Sequence, residues 1–192
     1  MNAPRDLWRF SLRVYGSERV AAACLWLQDH CAVDVNLLLF GCWLASRGIE
    51  LTAATLSAAQ RITGPWTREV VAPLRHARRW MKTYDGLRGN VAEQDYAALR
   101  ERIKAAELES ERLEQQLLQR IAPSPVESAT HIDAGLDLML ENTSRYLESI
   151  DVTIDGEAAE HLSVVLAGAA GSTAASVARL ISQRASRTDD RR

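Results

Sequence analysis

The sequence predicts an all-α protein, and three observations lead to this fold class. Apolar residues recur at intervals of three and four through most of the 192 residues, whereas alternation over the length of a strand is hard to find. Capping residues, glycines and prolines divide this pattern into segments of helical length. With 47% apolar residues, the chain has enough hydrophobic side chains to bury a substantial core.

Four helices are predicted in the first third of the chain, at 6–15, 18–31, 34–47 and 52–62. Gly16 is expected to take the left-handed conformation that ends the first helix. Ser17, Asp34 and Thr52 are expected to cap the next three, because their side-chain oxygens can accept hydrogen bonds from free amides of the first turn.

Two prolines shape the segment that follows. Gly64-Pro65 is expected to open a fifth helix, because proline at the first helical position loses no hydrogen bond that it would otherwise make. Pro73 lies inside that helix, where its ring clashes with the carbonyl of Glu69. A bend or break is therefore expected near 70–72, followed by a helix at 75–82.

Two long helices are predicted after a loop at 85–89. A capping-box pair, Asn90 and Glu93, starts the first, which ends near Ile121, and a second box at 124–127 starts a helix that ends near Ile150. The short connection favours an antiparallel hairpin. The first helix carries a heptad-like seam that is weakened at two small residues: Tyr96, Leu99, Ile103, Ala106, Ser110, Leu113 and Leu117.

A last helix is predicted at 157–184, and the tail 186–192 is expected to be disordered. Gly168 and Gly171 indicate close helix packing or a helix interruption, because no strand precedes them and the lysine of a phosphate-binding loop is missing. The predicted organisation is a compact helical domain at 1–88, the hairpin at 89–151, a C-terminal helix at 152–185 and the tail.

A cytoplasmic location without membrane association is expected. No secretory signal is visible, and the two most apolar windows, 33–45 and 162–181, do not qualify as membrane spans. The three cysteines lack the paired spacing of a zinc site or a redox dithiol. They are expected to be reduced thiols, and neither a metal nor a cofactor is predicted.

The net charge of −2 conceals a strong segregation of charge. Residues 61–88 carry seven basic and two acidic side chains, whereas 89–160 carry six basic and sixteen acidic ones. A basic block beside an acidic segment can attract within one molecule or between molecules.

The basic block predicts a partner- or anion-binding site. It places four cations on one helical face, with Trp80 beside them: Arg75, Arg78, Arg79 and Lys82. Such a face suits phosphate, nucleic acid or an acidic protein surface, because arginine offers a fork of donors and tryptophan a stacking plane. The alternative is a face neutralised by the molecule's own acidic hairpin. If the face binds a partner, reversing Arg78 and Arg79 should remove that partner and leave the fold intact.

Two further features have competing interpretations. A polar set between two apolar runs could form a pocket that binds a metal or supports acid/base chemistry, or could simply cap helix ends at a solvated turn: Gln28, Asp29, His30, Asp34 and Asn36. The hairpin could form a partner-binding arm or a dimer seam, or it could pack internally against the compact domain.

Several motifs in residues 5–85 carry a family resemblance: Trp8-Arg9-Phe10-Ser11-Leu12, Leu27-Gln28-Asp29, the run Asp-Val-Asn-Leu-Leu-Leu-Phe at 34–40, Val70-Val71 and Pro73-Leu74-Arg75. In this order and spacing they resemble a family of small proteobacterial proteins catalogued as a domain of unknown function. In that family a glycine often stands at the position of Ala32, and a proline follows the first tyrosine. The resemblance implies a bacterial, cytoplasmic, helical protein and supplies no activity.

The preferred functional hypothesis is a non-enzymatic adaptor or regulator. It would engage a protein partner or a second copy through the basic, tryptophan-bearing helix and the acidic hairpin, with nucleic acid a less favoured partner. The alternative is a small-molecule-binding protein or enzyme with a pocket between the second, third and fifth helices. There Asp29, Asp34 and Asn36 would face Arg75 and Arg78, and a deep cavity at that place would favour this alternative.

Overall fold

The structure is a computed structural model that describes residues 6–86, 91–124, 132–154 and 156–189, with side chains described for all of these except 132–134 and 184–189. No strand occurs in these ranges, so the all-α fold class is confirmed. The helices are α1 Leu7–Tyr15, α2 Glu18–Cys31, α3 Val35–Ala45, α4 Ala53–Trp66, α5 Ala72–Thr83, α6 Glu93–Ile121, α7 Ile132–Glu148, α8 Gly156–Ala170 and α9 Ala174–Asp189. A π-helical segment, Thr67–Val71, joins α4 to α5. Among the residues described, no helix has the length and apolar character needed to cross a membrane.

Helix α3 lies at the centre of the fold. All 11 of its residues are buried, as expected of a helix that is apolar on every side. Helices α1, α2, α6, α7 and α8 all pack on it. A single hydrophobic core therefore joins side chains from α1 to α4 with side chains from α6 to α9, among them Phe10, Trp43, Leu118, Met139 and Leu166.

Two of the three predicted caps are confirmed. The Asp34 carboxylate accepts hydrogen bonds from two amides of the first turn of α3, at 2.9 and 3.2 Å. The Thr52 hydroxyl accepts one from the first turn of α4, at 3.1 Å. The prediction for Ser17 is wrong, because its backbone is extended as a cap requires but its side chain forms no capping hydrogen bond.

The left-handed turn lies one helix later than predicted. Gly16 has a right-handed conformation with φ −61°, whereas Ala32 at the end of α2 has φ +54°. A Cβ atom makes this conformation costly, by roughly 1–2 kcal/mol per residue. Glycine, which the resembled family often has at this position, would adopt it without that cost.

The structure corrects the start of the fifth helix. Helix α4 continues through Pro65 instead of ending before it, and the π-helical segment carries the chain on to α5. A proline inside a helix leaves the carbonyl four residues earlier without its donor. Here that carbonyl belongs to Arg61, an exposed residue, so water can replace the lost donor. The wider π-helical turn stands where the sequence predicted a break before Pro73.

Helices α6 and α7 pack on other helices rather than chiefly on each other. α6 lies along α4 and α5 and also contacts α1 and α3, whereas α7 lies along α3 and contacts α8. This is the internal packing that the sequence left open, and not the antiparallel pairing. The buried face of α6 includes Glu107, Glu114 and Gln115, whose polar partners lie on the N-terminal helices. Asn90 and the second capping box beyond Ser124 lie outside the described residues.

The predicted last helix is two helices. Gly171, with φ +69°, separates α8 from α9, so this glycine interrupts the helix. Gly168 instead allows close packing, because a Cβ atom there would lie 2.8 Å from a methyl carbon of Val20 on α2. Helix α9 extends to Asp189, into the segment 186–192 for which disorder is predicted, and that disorder stays a prediction.

Candidate partner-binding site

The basic helix α5 lies antiparallel to the acidic helix α6, and two of its arginines bind carboxylates there. Arg75 donates hydrogen bonds to Glu107 at 3.1 Å and to Glu111 at 2.6 Å. Arg78 donates to both carboxylate oxygens of Glu107, the longer bond measuring 3.1 Å. Glu107 therefore accepts from two guanidinium groups, and its side chain is only 8% exposed.

The charges in this cluster shift its pKa values. Burial alone would raise the pKa of Glu107, but the hydrogen bonds and charges of Arg78 and Arg75 outweigh it and hold the pKa below its ordinary range. The hydrogen bonds that Arg78 donates to the Glu107 carboxylate raise the pKa of Arg78. Burial raises the pKa of Glu111 despite its contact with Arg75. Arg75 and Arg78 thus compensate carboxylates of their own chain.

Arg79 makes a different and more exposed contact. Its guanidinium donates to Asp29 on α2 at 2.8 Å, and Gln28 donates to the same carboxylate at 3.3 Å. Burial alone would raise the pKa of Asp29, but the hydrogen bonds that Arg79 and Gln28 donate, with the charge of Arg79, outweigh it and lower that pKa. Both members of the pair keep about two fifths of their side-chain surface exposed, so it contributes roughly 0 to 1 kcal/mol to stability.

The end of α5 carries an exposed aromatic pair. Trp80 and Tyr84 stack with ring centroids 4.2 Å apart and an interplanar angle of 22°, and they are 50% and 40% exposed. Met81 between them points inward, and its carbonyl accepts a 2.6 Å hydrogen bond from Tyr96 of α6. Lys82 is exposed beside the pair. The aromatic surface is therefore held on a helix that α6 anchors.

Asn36, one residue of the predicted polar pocket, belongs to a chain of hydrogen-bonded side chains. Asn36 is buried and donates from its amide nitrogen to Glu114 at 2.8 Å. Its oxygen accepts from Gln115 at 2.7 Å, and Gln115 in turn accepts from Ser11 at 2.9 Å. This chain of hydrogen bonds connects α3, α6 and α1.

Two carboxyl groups meet at the start of the π-helical segment. The Thr67 hydroxyl lies 3.1 Å from Glu114 Oε1 and 3.3 Å from Asp34 Oδ2. A hydroxyl has one proton to donate, so it cannot satisfy both groups. Burial, followed by the negative charge of Asp34, raises the pKa of Glu114 to about 9. Glu114 therefore keeps its proton at neutral pH.

Three acidic residues at the centre of these clusters were not singled out from the sequence. Glu107, Glu111 and Glu114 recur at spacings of four and three, which places them on one face of α6. That spacing matches the spacing of the arginines on α5, and it is the signal that the sequence offered. Nothing in the sequence around Thr67 indicated its role.

A cavity beside α2 is lined by none of the residues of these clusters. It has a volume of about 440 Å³ and is lined mainly by residues of α2 and by the segment that leads into α8: Trp26, His30, Cys31, Val152, Thr153, Glu157 and Ala158. The Trp26 ring is stacked between His30 and His161, at centroid distances of 4.6 and 4.3 Å. Within the described residues, no group of three or more His, Cys, Asp and Glu side chains is arranged to hold a metal ion.

The residues that match a known family span α1 to α5 and most of α6, the helices that build these clusters. The family model described as "Protein of unknown function (DUF2390)" matches residues 6–118. The match covers more than half of the chain, so the protein belongs to this family. Comparison with curated proteins and with solved structures finds no match.

Proposed function

We propose that the protein is a non-enzymatic, cytoplasmic adaptor or regulator that binds a protein partner through the outer end of α5. The observation that carries this proposal is the stacked, half-exposed pair of Trp80 and Tyr84. The proposed surface lies nearer the C-terminal end of α5 than the site predicted from the sequence. Arg75 and Arg78 already have carboxylate partners within the chain, so binding rests on the aromatic pair and the exposed Lys82.

The chemistry of the pair suits a protein interface. Tryptophan and tyrosine are enriched among the residues that dominate binding energy, since they bury a large area and lose little conformational freedom. Stacking already restricts both rings, which reduces the entropy that binding must remove. Lys82 gives this surface a positive charge at its edge, which favours a partner with acidic groups around an apolar centre.

The test is capture of partners by purified variants. Trp80→Ala with Tyr84→Ala is expected to weaken partner binding by about 30-fold or more, the loss typical of an interfacial hot spot. Leu25→Ala is the matched control, because Leu25 is 48% exposed on α2 and lies outside the proposed surface. Quantitative mass spectrometry of proteins retained by each variant gives the comparison. Equal retention by the double variant and the wild type would contradict the proposal.

A second candidate is a small-molecule-binding protein or enzyme, and the carboxyl pair of Glu114 and Asp34 favours it. Carboxyl groups with strongly shifted pKa values cluster at functional sites, and π-helical turns are frequent there as well. Against this candidate, side chains from three elements, α3, α6 and the π-helical segment, already hydrogen-bond to the pair and to its neighbours. A ligand that raises the melting temperature of the wild type and not of Glu114→Gln would favour it.

A further inference from the structure

Three of the seven residues of the heptad-like seam of α6 face solvent. Leu99, Ala106 and Leu113 are spaced seven residues apart and are all exposed, the two leucines by 45% and 39%. The other seam residues on α6 are at least partly buried against the fold. The three exposed residues form a stripe of about 21 Å along the helix, at 1.5 Å per residue.

The sequence around this stripe is self-complementary about Ala106. Leu99 and Leu113 lie seven positions before and after it, and both are leucine. Arg102 lies four positions before it and Glu109 three positions after it, and both are exposed. In an antiparallel pair of α6 helices with a two-fold axis at Ala106, Leu99 of one copy meets Leu113 of the other. Arg102 and Glu109 fall on the same side of the stripe, so each arginine meets the other copy's glutamate.

We propose that the α6 stripe, Leu99, Ala106 and Leu113 with Arg102 and Glu109 beside it, binds a second copy of this chain in an antiparallel two-fold dimer. A two-fold interface requires one patch to match itself, and this arrangement of residues satisfies that condition. Alanine at the axis lets the two helices approach closely, as small residues at a helix contact do. Glu109 pairs with Arg112 of its own helix at 2.9 Å, and this exposed contact can exchange for Arg102 of the second copy. The dimer surface does not include Trp80 or Tyr84. The dimer can therefore be contradicted without contradicting the proposed function, and the reverse.

The first test is the concentration dependence of mass in solution. Sedimentation equilibrium of the full chain between about 1 and 200 μM is expected to show a monomer–dimer equilibrium. Arg102→Glu creates two like-charge contacts per dimer and is expected to weaken association at least about fivefold. Adding Glu109→Arg to that variant restores opposite charges and should recover the wild-type constant. Leu108→Lys is the matched control, because Leu108 is 51% exposed on another face of α6.

A disulfide test locates the axis. In a Cys31→Ser background, Ala106→Cys is expected to form an intermolecular disulfide on mild oxidation, because only a residue at the axis meets its own copy within about 7 Å. Ala97→Cys, exposed on the opposite face of α6, should not. A chain that stays monomeric throughout the range would overturn the proposal. So would a dimer that survives Arg102→Glu unchanged, or one that cross-links equally through both positions.

Discussion

Glu114→Gln is expected to make the protein more stable than the wild type at pH 9, with an advantage that shrinks towards pH 5. Glu114 has a folded-state pKa raised to about 9, while in the unfolded chain it ionises near its ordinary value of 4.5. Between these values the folded state holds a proton that the unfolded state has released, so the wild type loses stability as pH rises. One such group contributes up to about 1.4 kcal/mol per pH unit. Glutamine is neutral at every pH and removes this dependence.

The measurement is chemical denaturation of both proteins at pH 5, 7 and 9. The quantity to compare is the difference in unfolding free energy between Glu114→Gln and the wild type, which cancels the other titrating groups. Glu109→Gln is the matched control. Arg112 lowers the pKa of exposed Glu109, so its difference should be flat across this range. A flat or falling difference for Glu114→Gln would mean that Glu114 is ionised in the folded protein.

Glu107→Gln is expected to destabilise the protein by about 2–3 kcal/mol at neutral pH, because it leaves Arg75 and Arg78 partly buried without their shared carboxylate. The figure is below that of a fully buried pair because both arginine side chains remain about one fifth exposed. Glu101→Gln removes an exposed carboxylate from the same helix and should change stability by less than about 1 kcal/mol. Thermal or urea unfolding of both variants gives the comparison.

The sign of the pH dependence provides a second check on Glu107. Its folded-state pKa is lowered, so its contribution is present above the ordinary value of 4.5 and is lost as pH falls through the folded-state value. The wild type should therefore approach Glu107→Gln in stability under acid conditions. A gap that does not narrow as pH falls below 4.5 would indicate that glutamine disturbs packing instead of charge.

The N-terminal helices were predictable because local signals fix them. Asp34 and Thr52 cap their helices through contacts within one turn, and the continuous apolar run of α3 had to be enclosed. Two local signals misled. Pro65 is typical of a helix start, but α4 continues through it and passes into the π-helical segment. Gly16 reads as a left-handed cap, but Ala32 takes that conformation.

The partners of α6 could not be derived from local pattern. Its heptad-like spacing is compatible with antiparallel packing on the preceding helix α5 or on the following helix α7. The choice between them depends on which charges meet. The arginines of α5 and the carboxylates of α6 decide it. The contacts of Arg78 also change what we expect of Arg78→Glu, which would place a third carboxylate beside Glu107 and Glu111 and is therefore expected to lower stability.

Photo-cross-linking in living cells tests most directly whether the end of α5 binds a partner. A light-activated amino acid replaces Trp80 in one variant and Leu25 in a control variant. Both positions are about half exposed, so their chance encounters are matched. We expect a discrete adduct between position 80 and a second protein, and no corresponding adduct from position 25. The same adduct from both positions, or adducts from position 25 alone, would contradict a binding surface at the end of α5.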